Sequence, residues 1–375
     1  MAYCILMTDL DFFAVCPPGL EPQLAQECAA LGFKRGKPEP GGITLKGDWA
    51  EVWRANLELR GATRILVRLG SFPAFHLAQL DKRAHKFPWR TTLEPHVPVR
   101  VEVSTNKKSR IYHAGAAAER IERAVNTVMD APISPEAEVT IKARIDNNLV
   151  TISVDTSGES LHKRGHKIAT GKAPIRETLA SLLLRGCGYD GRETVVDPMC
   201  GSGTFLLEAA EIAADLQPGR DRAFAFEKLA TFDPDAFATL VRSGSGPVPA
   251  QRFYGYDRDQ GAIDGARRNA EAAGVGDLCS FACQPLSELT APDGPPGLVI
   301  LNPPYGARIG NKGQLYALYG TLGRVMVERF RGWRLGIVTS DGALANATGF
   351  DLTSGPVIDN GGIKVKLYQA SLTPP

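Results

Sequence analysis

The second half of the chain alternates short apolar runs with stretches of helical spacing. Five runs have the length of buried strands, at 194–197, 253–257, 279–283, 298–301 and 335–339. Amphipathic segments lie between them, and this alternation is typical of a parallel sheet covered by helices. A segment rich in Phe, Pro, Gly and Asp, at about 215–250, interrupts the pattern between the first two strands. We therefore predict an α/β domain at 173–375.

The first half has a less regular order of elements. Strands are predicted there in the apolar start before Pro17 and at 41–45, 64–69, 97–104, 139–144 and 150–155, and helices at 21–31, from 49 and at 114–129. This order is typical of α+β modules, of which we predict one at 1–50 and a second at 51–156. Residues 157–172 are rich in Gly, Ser, His and Lys. They are predicted to link these modules to the α/β domain.

Charge distinguishes the two halves of the chain. The formal net charge is only +2, but residues 1–172 hold 24 Lys and Arg against 19 Asp and Glu. The excess is greatest between Arg54 and Arg110, where 12 basic residues accompany 4 acidic ones. A region of this composition is suited to contact phosphates.

The composition also excludes several classes of protein. Hydrophobic residues make up 43% of the chain, and no apolar run approaches the roughly eighteen residues of a transmembrane helix. The seven cysteines include no C-x-x-C pair, which argues against a disulfide framework or structural zinc. The first residues lack the basic n-region of a secretory signal. We expect a cytoplasmic protein with no metal site and no membrane partner.

A glycine-rich turn follows the first strand of the α/β domain. An apolar strand runs into a predicted helix at 205–214 through Val195-Val196-Asp197-Pro198-Met199-Cys200-Gly201-Ser202-Gly203-Thr204. Glycines let a ligand approach the backbone closely, and a helix N-terminus offers free N–H groups. The spacing matches neither G-x-G-x-x-G nor a P-loop, so pyrophosphate and triphosphate ligands are disfavoured. The turn is predicted to bind a nucleotide-like cofactor; the alternative is a plain strand-to-helix turn.

Asp257 ends the second strand of the same domain, in Tyr254-Gly255-Tyr256-Asp257. In doubly wound sheets a carboxylate at this position accepts hydrogen bonds from ribose hydroxyls. The alternative is that Asp257 caps the helix predicted at 260–272, and the two roles are compatible.

The motif Asn302-Pro303-Pro304-Tyr305 follows the apolar strand at 298–301 and is the strongest chemical signal in the chain. Because Pro304 has no N–H, the Pro303 carbonyl is left to accept hydrogen bonds from elsewhere. This carbonyl and the Asn302 amide oxygen can together accept both hydrogens of a planar exocyclic amine. The Tyr305 ring offers a surface on which a base can stack. The alternative is an ordinary turn.

Together these motifs resemble the amino-methylating class of S-adenosylmethionine-dependent methyltransferases. The first half narrows the resemblance to the THUMP-containing bacterial 23S rRNA guanine-N2 methyltransferases of the RlmL type. The residues that carry it there are Asn56, Arg60, Ala62, Thr63, Arg64, Phe72, Trp89, Ser104, Lys108, Ser109, Arg110 and His113. The segments 161–165 and 173–179 resemble the junction and first cofactor-side helix of the same family, so that the resemblance spans nearly the whole chain.

The resemblance implies a fold, a cofactor and a set of site residues. The fold is a Rossmann-like class I methyltransferase domain preceded by a ferredoxin-like module at 1–50 and a THUMP RNA-binding module at 51–156. S-adenosylmethionine is then bound by Arg176, Asp197, Pro198, Cys200, Gly201, Ser202, Gly203, Thr204, Asp257, Gln284 and Asn302. Catalysis falls to Asn302, Pro303, Pro304 and Tyr305. RNA contacts fall to Arg64, Lys107, Lys108, Arg110, Lys163 and Arg164.

The chain departs from the family pattern in three places, one of which is His166, where an aromatic Tyr is common. Where an acid near the cofactor adenine is usual after the third strand, the chain has Pro285, so backbone groups near Cys283 and Gln284 are expected to recognise the adenine. The family's two-headed members carry a second methyltransferase domain, whereas this sequence ends at Pro375. A second activity is therefore not predicted.

Three functions remain open from the sequence. The leading one is methylation of guanine N2 in 23S rRNA or a precursor ribosomal particle, without an obligate protein partner. The first alternative is a tRNA guanine-N2 methyltransferase of the same architecture. The second, from a different class, is a non-catalytic RNA-binding ribosome assembly factor. DNA adenine and protein glutamine methyltransferases share the N-P-P-Y motif, but the THUMP-like half argues against both.

Overall fold

A computed structural model describes residues 9–169, 175–242, 248–305 and 312–372 of the chain. These residues form two compact units. The first unit holds the described residues up to Cys16, residues 25–161 and Arg222–Arg242. The second holds Pro17–Leu24 and the described residues of 162–221 and 243–375. No helix in these ranges is both long and apolar enough to cross a bilayer.

One seven-stranded sheet organises the first unit, in the order β2-β3-β1-β4-β7-β6-β5. Its strands are β1 (Leu10–Val15), β2 (Lys34–Glu39), β3 (Gly42–Gly47), β4 (Arg64–Pro73), β5 (Val99–Thr105), β6 (Val139–Asp146) and β7 (Leu149–Asp155). Neighbouring strands are antiparallel except β5 and β6, which are parallel. The helices along this part of the chain are α1 (Glu21–Ala30), α2 (Trp49–Glu58), α3 (Leu77–His85) and α4 (Ala114–Met129).

The second unit is built on a sheet in the order β10-β9-β8-β11-β12-β15-β13, with β14 paired to β15. Its strands are β8 (Val195–Asp197), β9 (Phe253–Asp257), β10 (Cys279–Cys283), β11 (Leu298–Leu301), β12 (Arg334–Thr339), β13 (Thr353–Ser354), β14 (Ile358–Asn360) and β15 (Ile363–Ser371). The other α-helices among the described residues are α5 (Glu177–Gly186), α6 (Thr204–Ala213), α7 (Pro234–Ala238), α8 (Gln260–Ala272), α9 (Lys312–Arg329) and α10 (Gly342–Asn346). Strands β8 to β12 are mutually parallel, and β15 is antiparallel to β12.

The strand order of this sheet reverses between β8 and β11. From β8 the chain proceeds through β9 to β10 on one side and later returns through β11 to β12 on the other. Open α/β sheets bind ligands where the strand order reverses in this way. The α/β architecture predicted from the apolar runs is confirmed, with each of its five strands within one residue of the predicted start.

The predicted insertion differs from its expected place. Residues 222–242 belong to the first unit rather than to the α/β domain whose sequence they interrupt. The reason is aromatic packing, because Trp53 of α2 lies 6.2 Å from Phe226 and 5.6 Å from Phe232 between ring centroids. These contacts bury a large apolar area that a solvent-exposed loop would leave in water.

The end of the first unit is fixed by a buried polar network. Asn56 donates from Nδ2 to Thr156 Oγ1 at 2.9 Å and accepts from Ser157 Oγ at 2.6 Å. Because all three side chains are buried, each hydrogen bond removes an otherwise costly unsatisfied group. The division of this unit at 50/51 stays a prediction, since β1 to β3 and β4 to β7 share one continuous sheet.

Candidate active site

The glycine-rich turn between β8 and α6 requires glycine at Gly203. Its φ is +82°, and a Cβ there would lie 2.9 Å from Leu207 Cδ1 and 3.3 Å from Ala266 Cβ. Gly201 has φ +53° and no heavy atom within 4 Å of the position a Cβ would take. Open space therefore faces the turn at Gly201, while Gly203 lets the turn pack tightly against α8.

The N-terminus of α6 begins directly after this turn, at Thr204. Lys167 Nζ lies 3.1 Å from Thr204 Oγ1 and 2.7 Å from Glu177 Oε1. Ser202 Oγ lies 3.4 Å from the same Thr204 hydroxyl. Lys167 and Glu177 were missed by sequence reasoning, because their proximity to the turn depends on the packing of α5 against α6. The N–H groups of the first turn of α6 make this a suitable place for polar ligand atoms.

Asp197, at the end of β8, is a buried carboxyl group. Its pKa is raised to about 8, chiefly by burial and in smaller part by the nearby Asp257 charge, while a 3.0 Å hydrogen bond from the Met199 N–H opposes the shift. A positively charged or hydrogen-bond-donating ligand beside Asp197 would stabilise its ionised form. The site is therefore suited to a cationic group.

Asp257, at the end of β9, supports the glycine-rich turn directly. Its Oδ2 accepts from the Gly201 N–H at 3.1 Å, and its Oδ1 accepts from the Asp259 N–H at 3.0 Å. A carboxylate has about four acceptor positions, so these two bonds leave capacity for ligand hydroxyls. The alternative reading of Asp257 as the α8 cap is wrong, because Asp259 holds that position and accepts from the Gly261 N–H at 2.8 Å.

The loop Asn302–Tyr305 leaves the end of β11, which pairs with β8 through Leu298 and Val299. Asn302 Oδ1 and the Pro303 side chain are buried, and Tyr305 is half-buried. Burial raises the pKa of the Tyr305 phenol, which has a hydrogen bond with Asn360 of β14. Tyr305 is thus a neutral ring near pH 7.

Tyr319 of α9 is a fully buried residue that sequence reasoning did not identify. Its hydroxyl lies 3.3 Å from Thr339 Oγ1 at the end of β12 and 3.5 Å from the Pro304 carbonyl oxygen. Tyr319 thereby connects the Asn302–Tyr305 loop to helix α9 and to the end of strand β12. The sequence signal was only a position in the apolar stripe of α9, together with Leu315 and Leu322.

The remaining predicted cofactor residues have more varied surroundings. Pro198 and Cys200 are buried, and burial raises the pKa of the Cys200 thiol well above its usual range, so the thiol is protonated. Arg176 precedes α5 and is exposed. The N–H of Gln284 donates to the Asp257 carbonyl at 3.0 Å. This backbone donor was expected to recognise the adenine, but the hydrogen bond already occupies it.

The residues predicted to bind RNA fall into two groups. Lys107, Lys108, Arg110 and Lys163 are exposed, as binding to phosphates requires. The prediction for Arg164 is wrong, because it is 2% exposed and its Nε lies 3.1 Å from Glu208 Oε1 in a buried ion pair. Breaking a buried ion pair costs several kcal/mol, so the Arg164 guanidinium stays buried with Glu208 and does not contact RNA.

Two further placements complete the set of predicted residues. Arg64 is half-buried, and its guanidinium donates to Asp155 at 2.5 Å and to the Gly158 carbonyl at 2.6 Å. Two of its five N–H donors are therefore used within the first unit. Residues 173 and 174 of the predicted junction lie outside the described residues.

Comparison with known families decides the class of this site. The model described as the RMKL-like methyltransferase domain matches residues 164–354, which include the glycine-rich turn, Asp257 and Asn302–Tyr305. The chain belongs to this family. The model described as the RlmL ferredoxin-like domain matches residues 11–66. The resemblance drawn from the motifs, including a ferredoxin-like start and a methyltransferase domain, is confirmed, and the THUMP assignment stays a prediction.

Individual relatives show how far the similarity extends. A Synechocystis sp. protein named "Putative RNA methyltransferase slr0064" is 31% identical over 97% of both chains. Ribosomal RNA large subunit methyltransferase K/L of Cellvibrio japonicus is 33% identical over 96% of this chain, which spans about half (51%) of that relative. The crystal structure of SMU.472 complexed with SAH is 26% identical, with a TM-score of 0.86 over 97% of this chain and 98% of that one.

Proposed function

We propose that this chain is an S-adenosylmethionine-dependent RNA methyltransferase that forms N2-methylguanosine in 23S rRNA. The observation that carries the proposal is the position of Asn302–Tyr305 at the end of β11, on the strand next to β8 and its glycine-rich turn. An amine-recognition loop and a cofactor turn thus lie at one edge of one sheet. The names of the curated relatives support RNA as the substrate, and ribosomal RNA in particular.

The residues of the turn fit S-adenosylmethionine. Gly201 leaves open space for it, the remaining acceptor capacity of Asp257 suits ribose hydroxyls, and Asp197 suits a cationic group. The cofactor supplies an electrophilic methyl group when bound. The missing acid at Pro285 and the occupied N–H of Gln284 leave the adenine to other backbone groups and to packing.

The chain's own residues act mainly by positioning. The Asn302 amide oxygen and the Pro303 carbonyl accept the two hydrogens of the guanine amine and so direct the nitrogen lone pair towards the methyl donor. The Tyr305 ring stacks on the base, and its phenol is protonated near pH 7. Since none of Asn302, Pro303, Pro304 and Tyr305 ionises near neutral pH, orientation rather than acid–base chemistry supplies the rate.

RNA binding falls mainly to the first unit, where the exposed side chains of Lys107, Lys108 and Arg110 suit phosphates. In a duplex, guanine N2 faces the minor groove between stacked neighbours, so the target guanine is unpaired or flipped out. We expect the protein to methylate ribosomal RNA in the cytoplasm.

Mass mapping of modified nucleosides in rRNA and tRNA from a deletion strain tests the proposal. We expect N2-methylguanosine to disappear from one 23S rRNA position and to return on complementation. Loss of the modification from tRNA alone would favour the tRNA alternative over the rRNA substrate.

Calorimetry with S-adenosylmethionine tests the assembly-factor alternative, which predicts no binding at millimolar cofactor.

Removing charge at Lys107, Lys108 and Arg110 is expected to weaken RNA binding and to reduce its salt dependence. The logarithmic slope against salt should fall by just under one unit for each phosphate that is no longer neutralised, because fewer counterions are released. Cofactor affinity should not change. Lys34→Ala serves as the matched control, because Lys34 is an exposed lysine on the edge strand β2. An unchanged slope in the loop variants would place the RNA surface elsewhere.

Tyr319→Phe is expected to slow methyl transfer several-fold, because the Pro304 carbonyl loses its tie to α9. The free energy of unfolding should fall by about 1 kcal/mol, the usual effect of removing one buried hydrogen bond. Cofactor affinity should remain at the parent value. The control is Tyr316→Phe, on the same helix but 44% exposed. A Tyr319→Phe enzyme with the parent single-turnover rate would show that the hydroxyl serves stability alone.

A further inference from the structure

Two large aromatic side chains of the first unit are exposed beside the predicted RNA-binding loop. Tyr112 is 68% exposed and Phe75 is 44% exposed. The rings of Tyr112 and His113 lie 4.5 Å apart between centroids at an interplanar angle of 40°. Single exposed apolar side chains are common, but two exposed rings beside one basic loop are a candidate binding surface.

Asn148 holds both ring-bearing segments at the same edge of the sheet. It lies in the tight turn between β6 and β7, with φ +63°. Its side-chain oxygen accepts from the Arg110 N–H at 2.8 Å, and its carbonyl accepts from the Ala74 N–H at 2.8 Å. The Thr105 hydroxyl donates to the Tyr112 carbonyl at 3.1 Å and closes the base of the loop. The backbone segments that carry the two rings are therefore held by hydrogen bonds before any ligand arrives.

The loop itself is also preformed. Asn106 Oδ1 accepts from the Lys108 N–H and from the Ser109 hydroxyl, both at 3.1 Å. The neighbouring Asp146 carboxylate accepts a hydrogen bond from the Asn106 amide and pairs with Arg144 at 3.0 Å. The acid nearest the loop is thus neutralised, which leaves the positive charge of Lys107, Lys108 and Arg110 in excess.

Positive charge lies close to the Phe75 ring. The Arg110 guanidinium lies 5.8 Å from the centroid of the Phe75 ring, within the range of a cation–π contact. Directly after Phe75, helix α3 presents an open cavity of about 540 Å³ lined by His76, Ala78, Gln79, Lys82, Arg83 and Lys86. Basic side chains of the loop and of α3 therefore lie close to the Phe75 ring.

We propose that Phe75 and Tyr112 form a stacking platform for unpaired bases of the RNA substrate, with its phosphates on the loop cations and on α3. Every base has a π-face that can stack on an aromatic ring, whereas the faces of paired bases in a duplex are covered by their neighbours. The platform therefore selects single-stranded segments over helices, without a requirement for sequence. This proposal rests on the proposed RNA substrate. It adds that the first unit binds the single-stranded segments of that RNA.

Fluorescence anisotropy of the full chain with a labelled oligouridine and with an RNA duplex of equal length tests the platform. Tyr112→Ala should weaken oligouridine binding about tenfold, in the range expected when one base stack is removed. Its salt slope should stay at the parent value, because the slope counts neutralised phosphates and not stacked bases. Duplex affinity should not change. Phe75→Ala should show the same pattern, and Tyr112→Phe, which keeps the ring, should bind as the parent does.

Ile133→Ala is the matched control, because this residue is 38% exposed in the same unit and pairs with Val99, at the opposite end of β5 from the loop. It should leave both affinities unchanged. Equal losses for oligouridine and duplex in Tyr112→Ala, or a reduced salt slope, would overturn the platform by showing that the ring only supports the loop. If the parent protein bound neither RNA, the proposed function itself would be contradicted. If the parent bound oligouridine and the Tyr112→Ala variant bound it equally well, only the platform would be contradicted.

Discussion

Asp257→Ala is expected to weaken S-adenosylmethionine binding by about 1 to 3 kcal/mol, the loss typical of hydrogen bonds to a charged acceptor. The carboxylate holds the Gly201 N–H at 3.1 Å, so the variant loses both the ribose acceptor and the support of the turn. Calorimetry measures the affinity directly. RNA binding, which falls to the first unit, should barely change.

Asp259→Ala separates ligand binding from helix capping. Asp259 caps α8 through its side chain, and only its backbone N–H contacts Asp257. Its replacement should lower the free energy of unfolding by about 1 kcal/mol while cofactor affinity stays near the parent value. If Asp259→Ala lost as much cofactor affinity as Asp257→Ala, the start of α8 and not the Asp257 carboxylate would be the cause.

The strands that sequence reasoning found are those with buried faces. All four side chains of β11 are buried, and such strands read as continuous apolar runs. Strand β2 was missed because it lies at the sheet edge, is almost wholly exposed and contains Pro38 beside a bulge. Helix α3 was missed for a similar reason, since Leu80 and Ala84 are its only buried residues. Pattern reasoning detects an element only when the element contributes enough side chains to a core.

The same limit applies to the candidate site. The turn at Gly201 and the loop at Asn302 could be placed together because parallel strands end at one edge of a sheet. The burial of Arg164 could not be predicted, since a Lys-Arg pair in a polar segment reads as a surface and its partner Glu208 lies on α6. Tyr319 likewise reaches the loop only through the packing of α9. Positions fixed by strand order follow from sequence, and those fixed by a side chain from another element do not.

Asn302→Ala is expected to slow methyl transfer by about 2 to 4 kcal/mol in the barrier, as when one preorganised polar group is removed from an active site. That is roughly a hundred-fold or more in rate. The variant removes the side-chain acceptor for the target amine but keeps Pro303, Pro304 and their carbonyls. Both substrates should still bind, because the lone-pair alignment matters in the transition state and not in the ground state.

Single-turnover methylation with saturating cofactor and RNA isolates this step from product release. The control is Asn346→Ala, which removes an exposed amide from the end of α10 in the same unit and should react at the parent rate. Affinities for cofactor and RNA, measured separately, should be little altered in Asn302→Ala and unchanged in Asn346→Ala. A rate for Asn302→Ala within a few-fold of the parent would mean that the Pro303 carbonyl and the Tyr305 ring suffice to orient the amine. The case for exocyclic-amine chemistry would then lose its main support, because the N-P-P-Y loop would no longer need its asparagine.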